Sequence, residues 1–449
     1  MPSAVLWALI ILLVMDAAAW IAVLIAERGR RYCAASWMLV ILIFPYIGAF
    51  GYFLIGVKGP FRRMYRRRRT YDQDLCTDIK LPFSEYHYGG VSSKGDEISI
   101  FSDGKEKFAS LMNDIENAER TIHIEYYYLE DDALGNKFSE ILCRKAEEGL
   151  EVMILLDHFG CRKLSEDFIS KLTESGVRVA MFHPVKGPTL DPRLNHREHR
   201  KIAIIDGSIA YTGGFNISDA YVGNGPLGYW RDTAMRTEGG LAQNMESYFR
   251  MVWNYVTGED VPIPAEIHHD DPDIFCLYGG PDMNPGPAFD HYLRMIRSAE
   301  KTIDIMTPYL TSDAAVKEII SAADRGVNIR IILPDEPDHW FTYWNNLRSC
   351  RRLMRHGVSV GLYSNGFMHS KVMVADGRYC SIGSTNLDNR SGFYNFESNI
   401  IVCREDVCNQ QTSIFENDLA LCRELGPGSE RGIAVSLKML IALIFQCVS

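Results

Sequence analysis

The chain has 449 residues, a formal net charge of −10 and eleven cysteines. That length exceeds one small core and calls for two or three structural units. The cysteines are odd in number and scattered, with no C-x-x-C pair, which argues against a disulfide framework or a thiolate zinc site.

The acidic average hides an asymmetry. Residues 1–70 hold ten Lys/Arg against Asp16 and Glu27, a net of +8, which leaves −18 on the remainder. A basic head on an acidic body fits a membrane-associated N-terminus and speaks against a nucleic-acid partner, which needs a basic groove. Residues 4–26, AVLWALIILLVMDAAAWIAVLIA, and 36–57, SWMLVILIFPYIGAFGYFLIGV, are each apolar over the length of a bilayer span. They predict a transmembrane hairpin, with Asp16 pairing to a neighbouring helix. The loop between them has three arginines, whereas 58–69, KGPFRRMYRRRR, has seven basic residues. The positive-inside rule therefore puts this cluster and the chain beyond it on the cytoplasmic side of a cell membrane. The cluster should also attract anionic lipid by about 1 kcal/mol per basic residue.

Beyond residue 100 the chain repeats itself. NAERTIHIEYYYL (117–129) corresponds to SAEKTIDIMTPYL (298–310), EEGLEVMILLD (147–157) to DRGVNIRIILP (324–334), and SGVRVAMF (175–182) to HGVSVGLY (356–363). Helix and strand patterns alternate in both copies, which predicts an α/β layer architecture in each half. Residues 258–287, rich in Pro, Asp and Gly, contain the expected boundary. The apolar tail 433–448, interrupted by Lys438, is short for a span and predicts an interfacial or core-docked helix.

Each repeat ends in one motif. HRKIAIID (199–206) and HSKVMVAD (369–376) place His199, Lys201 and Asp206 at the spacing of His369, Lys371 and Asp376. Gly213 and Asn216 recur as Gly383 and Asn386. Alternate residues of a strand share a face, so each histidine sits beside its lysine. Asp-Gly follows in both copies, a hairpin signal. A two-residue loop would bring each asparagine to the face of its histidine, and a three-residue loop would reverse that parity. Lysine charge, amide N–H donors and an imidazole suit a phosphodiester. One histidine cannot serve as free nucleophile and as acid at once, so two half-sites facing each other make one complete site. The lysines and asparagines could stabilise the transition-state charge, so no metal or other cofactor is called for.

The doubled H-x-K-x-x-x-x-D, each followed by G-[GS]-x-N, resembles the phospholipase D superfamily, and within it most closely the bacterial-type cardiolipin synthases. The likeness extends to YWRDTAMRTEG (229–239), TPYL (307–310), ILPDEPD (332–338) and GSTNLDNRSGFYNFESN (383–399). It implies two tandem α/β/α sandwich domains related by a pseudo-twofold, after a transmembrane hairpin at 1–60. The domains would span 61–265 and 266–428, and the tail 429–449. It also implies transfer of a phosphatidyl group between two phosphatidylglycerol molecules, giving cardiolipin and glycerol. His199 would carry the phosphatidyl group and His369 would move the proton, although the sequence is symmetric on this point. Ser384 joins Asn216 and Asn386 as an expected phosphate ligand, and its counterpart Gly214 lacks the hydroxyl. Asp232 and Glu397 are candidates to orient the histidines, with ordinary surface carboxylates as the other reading. Asp206 and Asp376 belong to the motif as structural or orienting groups. Hydrolysis by the same site, a membrane-tethered nuclease and a non-enzymatic lipid-binding scaffold are the competing functions.

Overall fold

The computed structural model describes residues 2–27, 31–52, 65, 77–184, 195–282, 286–426 and 432–444. In the first half, Thr121–Tyr126, Glu151–Asp157 and Arg178–Phe182 run parallel, linked by the helices Ala133–Glu147 and Glu166–Glu174. The first two strands are almost continuously buried, as expected of a parallel sheet covered on both faces, and the edge strand Arg178–Phe182 is partly exposed. Lys201–Ile205, Ile209–Gly213, Ala234–Glu238 and Glu97–Phe101 then add antiparallel, giving seven strands.

The second half repeats this order. Thr302–Met306, Asn328–Pro334 and Ser359–Tyr363 are parallel, and Val372–Ala375, Tyr379–Gly383, Asn395–Val402 and Ile274–Gly279 add antiparallel. This sheet grows further at both edges. Cys422–Glu424 joins one side, and His87–Ser93 with Thr77–Lys80 joins the other. Residues 77–93, placed with the first half by a boundary near 265, therefore belong to the second sheet.

Helices cover the sheets by burying one stripe each. Gly104–Glu116 shows the local logic. Asp103 caps it by accepting from the Lys105 and Glu106 amides, worth about 1 kcal/mol, and Phe108, Leu111, Met112 and Ile115 face inward at helical spacing. Two apolar clusters lie on the outer sides, one per half. A third runs through both. It joins Met153, Ile202 and Met235 of one sheet to Ile332, Val372 and Ile400 of the other, with the helix Gly240–Thr257 between them. The halves are fused through a shared core.

The N-terminal segment forms the helices Pro2–Ala26, Arg31–Ile43 and Ile47–Gly51. Ala19, Val23, Ile41, Ala49 and Tyr52 pack together between them. The second apolar run is not one helix. It breaks at Pro45, which lacks an N–H and bars helical geometry before it, and Tyr46 comes next at a φ of 63°. The Tyr46 amide donates to Asp16 at 3.4 Å, so Asp16 does pair across helices. Among the described residues no helix is long and apolar enough to cross a membrane. Of the basic cluster at 58–69, only Tyr65 lies within the described residues.

Candidate active site

The motif strands end in turns that differ from the simplest expectation. Asp206 and Gly207 turn at φ 54° and 64°, as do Asp376 and Gly377, but Ile205 pairs with Ile209 and Ala375 with Tyr379. Ser208 and Arg378 stay outside the ladders, so each connection has three residues. Strand parity alone would then turn Asn216 and Asn386 away from the histidines. They reach the site because the strands stop at Gly213 and Gly383 and the chain swings round before each asparagine.

The histidines lie just before the strands, and a crossed pairing of the two halves fixes them. Arg197–Glu198 runs parallel to Asn395–Phe396 of the other half, and the His199 amide donates to the Phe396 carbonyl at 2.9 Å. Phe367–Met368 runs parallel to Trp230–Arg231, and the His369 amide donates to the Arg231 carbonyl at 2.7 Å. The residue after each paired dipeptide is the orienting carboxylate. His199 Nδ1 lies 3.0 and 2.9 Å from the two oxygens of Glu397. His369 Nδ1 lies 2.6 Å from Asp232 Oδ2. Each imidazole thus takes its carboxylate from the opposite half.

The two pairs are not equivalent. Glu397 is fully buried and accepts from Ser391 Oγ at 2.7 Å, Asn395 Nδ2 at 3.2 Å and Ser384 Oγ. Burial raises its pKa, but His199 and Lys201 outweigh that and hold it below the ordinary range. Around His369 Nδ1, Asp232 is joined by Lys371 Nζ at 2.8 Å and Tyr221 OH at 3.2 Å. Lys371 and His369 likewise overcome burial to keep Asp232 ionised. An ionised carboxylate only accepts, so His199 is fixed with its proton on Nδ1 and Nε2 free. His369 Nδ1 either donates to Asp232 or accepts from Lys371, so two tautomers lie within its reach.

Both histidines, Asn216 and Asn386 line one cleft of about 740 Å³. Burial pushes the pKa of His199 down to about 4 and that of His369 to about 3, so both rings are neutral at physiological pH. The Oδ1 atoms of Asn216 and Asn386 find no partner among the described residues, and Asn216 Nδ2 donates to Tyr221 OH at 2.8 Å. Tyr127 meets the His199 ring edge-on at 4.9 Å, and Trp230 lies 5.1 Å from that of His369.

Other expected ligands lie elsewhere. Lys201 Nζ turns back on the His199 carbonyl at 2.6 Å, and Lys371 Nζ bonds the His369 carbonyl, so neither lines the cleft. Burial lowers their pKa values to about 7 and about 8. Ser384 does not line the cleft either. It is buried between Glu397 and the Ser398 amide, which donates to its Oγ at 3.1 Å. Asp206 and Asp376 stand at the far end of their strands, about 16 Å from the lysines at the usual rise. Each carboxylate there gathers three backbone amides, Glu119, Arg120 and Thr121 for Asp206 and Glu300, Lys301 and Thr302 for Asp376. They tie the motif strand to its neighbour.

This duplicated His–carboxylate site coincides with a match to the family described as "Cardiolipin synthase, PLD-like domain" over residues 111–253 and 292–419. The chain belongs to the cardiolipin synthase family of the phospholipase D superfamily. Residues 14–56 also match a phospholipase D-nuclease N-terminal family. Among similar relatives, a cardiolipin synthase from Oceanobacillus iheyensis is 32% identical over 97% of both chains. One from Listeria monocytogenes is 33% identical over 98% of both, and cardiolipin synthase 2 of Staphylococcus epidermidis is 34% identical over 90% of this chain and 89% of its own. A phosphatidylserine synthase structure from Haemophilus influenzae shares the fold, with a TM-score of 0.65 at 14% identity over 84% of this chain and all of its own. Polyphosphate kinase from Porphyromonas gingivalis reaches 0.50 at 14% identity over 81% of this chain and 58% of its own.

In this member of the cardiolipin synthase family, sequence reasoning passed over Tyr221, Ser391 and Asn395. All three sit within or beside the motif blocks; Tyr221 finds His369 only once the halves cross, and Ser391 and Asn395 matter only because the Glu397 they bond turns to His199 of the other half.

Proposed function

We propose that this protein is a cardiolipin synthase that moves a phosphatidyl group from one phosphatidylglycerol to the terminal hydroxyl of another. The observation that carries the reading is the pair of crossed His–carboxylate couples opening on one cleft, in a chain whose relatives of nearly equal length bear that name. His199 is the nucleophile, because among the described residues its Nδ1 bonds the Glu397 oxygens alone and Nε2 is left free. Nε2 attacks phosphorus, the bond to glycerol breaks, and His369 gives the departing alkoxide its proton. The phosphodiester charge between the rings offsets the burial that otherwise denies His369 that proton. The hydroxyl of the second lipid then passes its proton to His369, attacks phosphorus and displaces His199, so two phosphatidylglycerols become cardiolipin and glycerol. Asn216 and Asn386 meet the phosphate from the cleft wall by donating amide N–H groups from Nδ2, of which Asn216 keeps one beside its bond to Tyr221. Lys201 and Lys371 act through their field from behind the histidines, where burial strengthens it.

The substrates place the protein at a membrane. The apolar runs at 4–26 and 36–57, the basic cluster after them and the N-terminal family match support a two-span hairpin, with the catalytic halves in the cytoplasm.

The test is incubation with phosphatidylglycerol vesicles, following cardiolipin, glycerol and phosphatidic acid together. Cardiolipin with equimolar glycerol is expected, and phosphatidic acid alone would replace the synthase by a hydrolase. His199→Ala and His369→Ala should each lower turnover by about 10⁴ or more. Unchanged turnover in both would end the enzymatic reading of this cleft.

A further inference from the structure

The tail helix Ile433–Ile444 packs against two partners at once, the helix Trp340–Met354 of the second half and the N-terminal helix Arg31–Ile43. Its inner side is occupied. Met439 and Ala442 are buried in the second-half core with Trp344 and Leu347, and Asn345 Nδ2 donates to the Ala442 carbonyl at 2.8 Å. Its outer side carries Leu437, Leu440 and Ile441 at spacing i, i+3, i+4, exposed by 54%, 61% and 40%. These are one stripe, and nothing in this chain's described residues covers it.

The surroundings of the stripe indicate its cover. Leu42 and Ile43 of the packed N-terminal helix are exposed as well. An uncovered apolar stripe beside such residues marks a partner or a membrane. Lys438 is exposed beside the stripe, its stem crossing the buried Trp344 with Nζ 4.8 Å from the ring, which leaves a cation where lipid headgroups would lie. The other partner helix leads to the cleft. Trp340 is exposed at its start, and His339, Phe341 and Thr342 line the cavity that holds the two histidines.

We propose that the helix Ile433–Ile444 lies in the interface of a phospholipid bilayer and, through the helix Trp340–Met354, holds the mouth of the catalytic cleft against that surface. Lipids then reach His199 and His369 sideways from the bilayer, past Trp340 and Phe341. The proposal rests on the reading that the substrates are membrane phospholipids.

The experiment uses the full chain in phosphatidylcholine proteoliposomes with an environment-sensitive fluorescent amino acid at Leu440. A blue-shifted emission quenched by lipids labelled high on their chains is expected. An aqueous spectrum overturns the proposal. So does a blue-shifted spectrum that lipid quenchers do not touch, particularly if the label cross-links to a second copy, because the stripe is then a protein contact. The second arm is the triple variant Leu437→Asp, Leu440→Asp, Ile441→Asp. Its turnover of long-chain phosphatidylglycerol within the bilayer should fall by about tenfold. Its turnover of dihexanoyl phosphatidylglycerol added from water should stay within about twofold of the parent. Equal losses on both substrates overturn the access role. If the parent makes no cardiolipin from either substrate, the catalytic reading fails while the fluorescence still judges the helix.

Discussion

Gly214 and Ser384 occupy the same step of the two repeats, and the carboxylates they face explain the difference. A Cβ at Gly214 would run into the Asp232 carboxylate, whereas Ser384 donates its hydroxyl to the longer Glu397. A similar exchange holds seven residues on, where Tyr221 reaches His369 and Ser391 reaches Glu397. Each couple therefore has its own polar shell, and the two imidazoles differ although their motifs match. A pH profile should show it. His199 is a free base above about 4, and Lys201 and Lys371 keep their charge only below about 7 and about 8. With substrate bound, where the phosphodiester charge keeps the proton on His369, kcat should rise with pH as His199 becomes a free base, level off, and decline as the lysines lose their charge. An alkaline limb that stays flat would remove lysine charge from the chemistry.

At the scale of elements, the two-residue parallel ladders and the Asp-Gly turns do different work. The ladders aim the histidines, and the turns anchor the strands. Asp376→Ala removes an acceptor shared by three backbone amides that water can partly replace. It should cost about 1–2 kcal/mol and lower the thermal midpoint by several degrees. Turnover per folded molecule should stay within about threefold, and a collapse of turnover in folded protein would put this aspartate in the reaction. The strand and helix order of both repeats was legible in the sequence, because buried β-branched runs and Gly-ended helices carry local signals. The reach of Asn216 was not, since one extra turn residue reverses strand parity. The role of Ser384 was hidden too, because its partner Glu397 sits on a different strand.

Across the whole molecule, the shared core and the crossed ladders make the halves one folding and functional unit. Arg231, next to Asp232, binds Asp418 of the second half through Nε at 3.0 Å and Nη2 at 2.5 Å, both residues buried. Asp418→Ala strands a buried guanidinium. It should destabilise the protein by about 3–5 kcal/mol in denaturant titration, with a fall in activity as the Asp232 strand loosens. A change in stability too small to measure would show that the contact between halves does not depend on this pair. Duplication was plain in the sequence, yet the side on which each carboxylate would act was not, because spacing cannot say which copy a strand will pair with.

The exchange of carboxylates has a consequence for engineering. A lone lobe would hold a histidine without the anion that orients it, so two lobes must meet before either couple is complete. The two lent acids differ, one a compact aspartate with a tyrosine neighbour, the other a glutamate wrapped in hydroxyls. Lobes produced as separate polypeptides should accordingly be inert alone and recover turnover only where they meet.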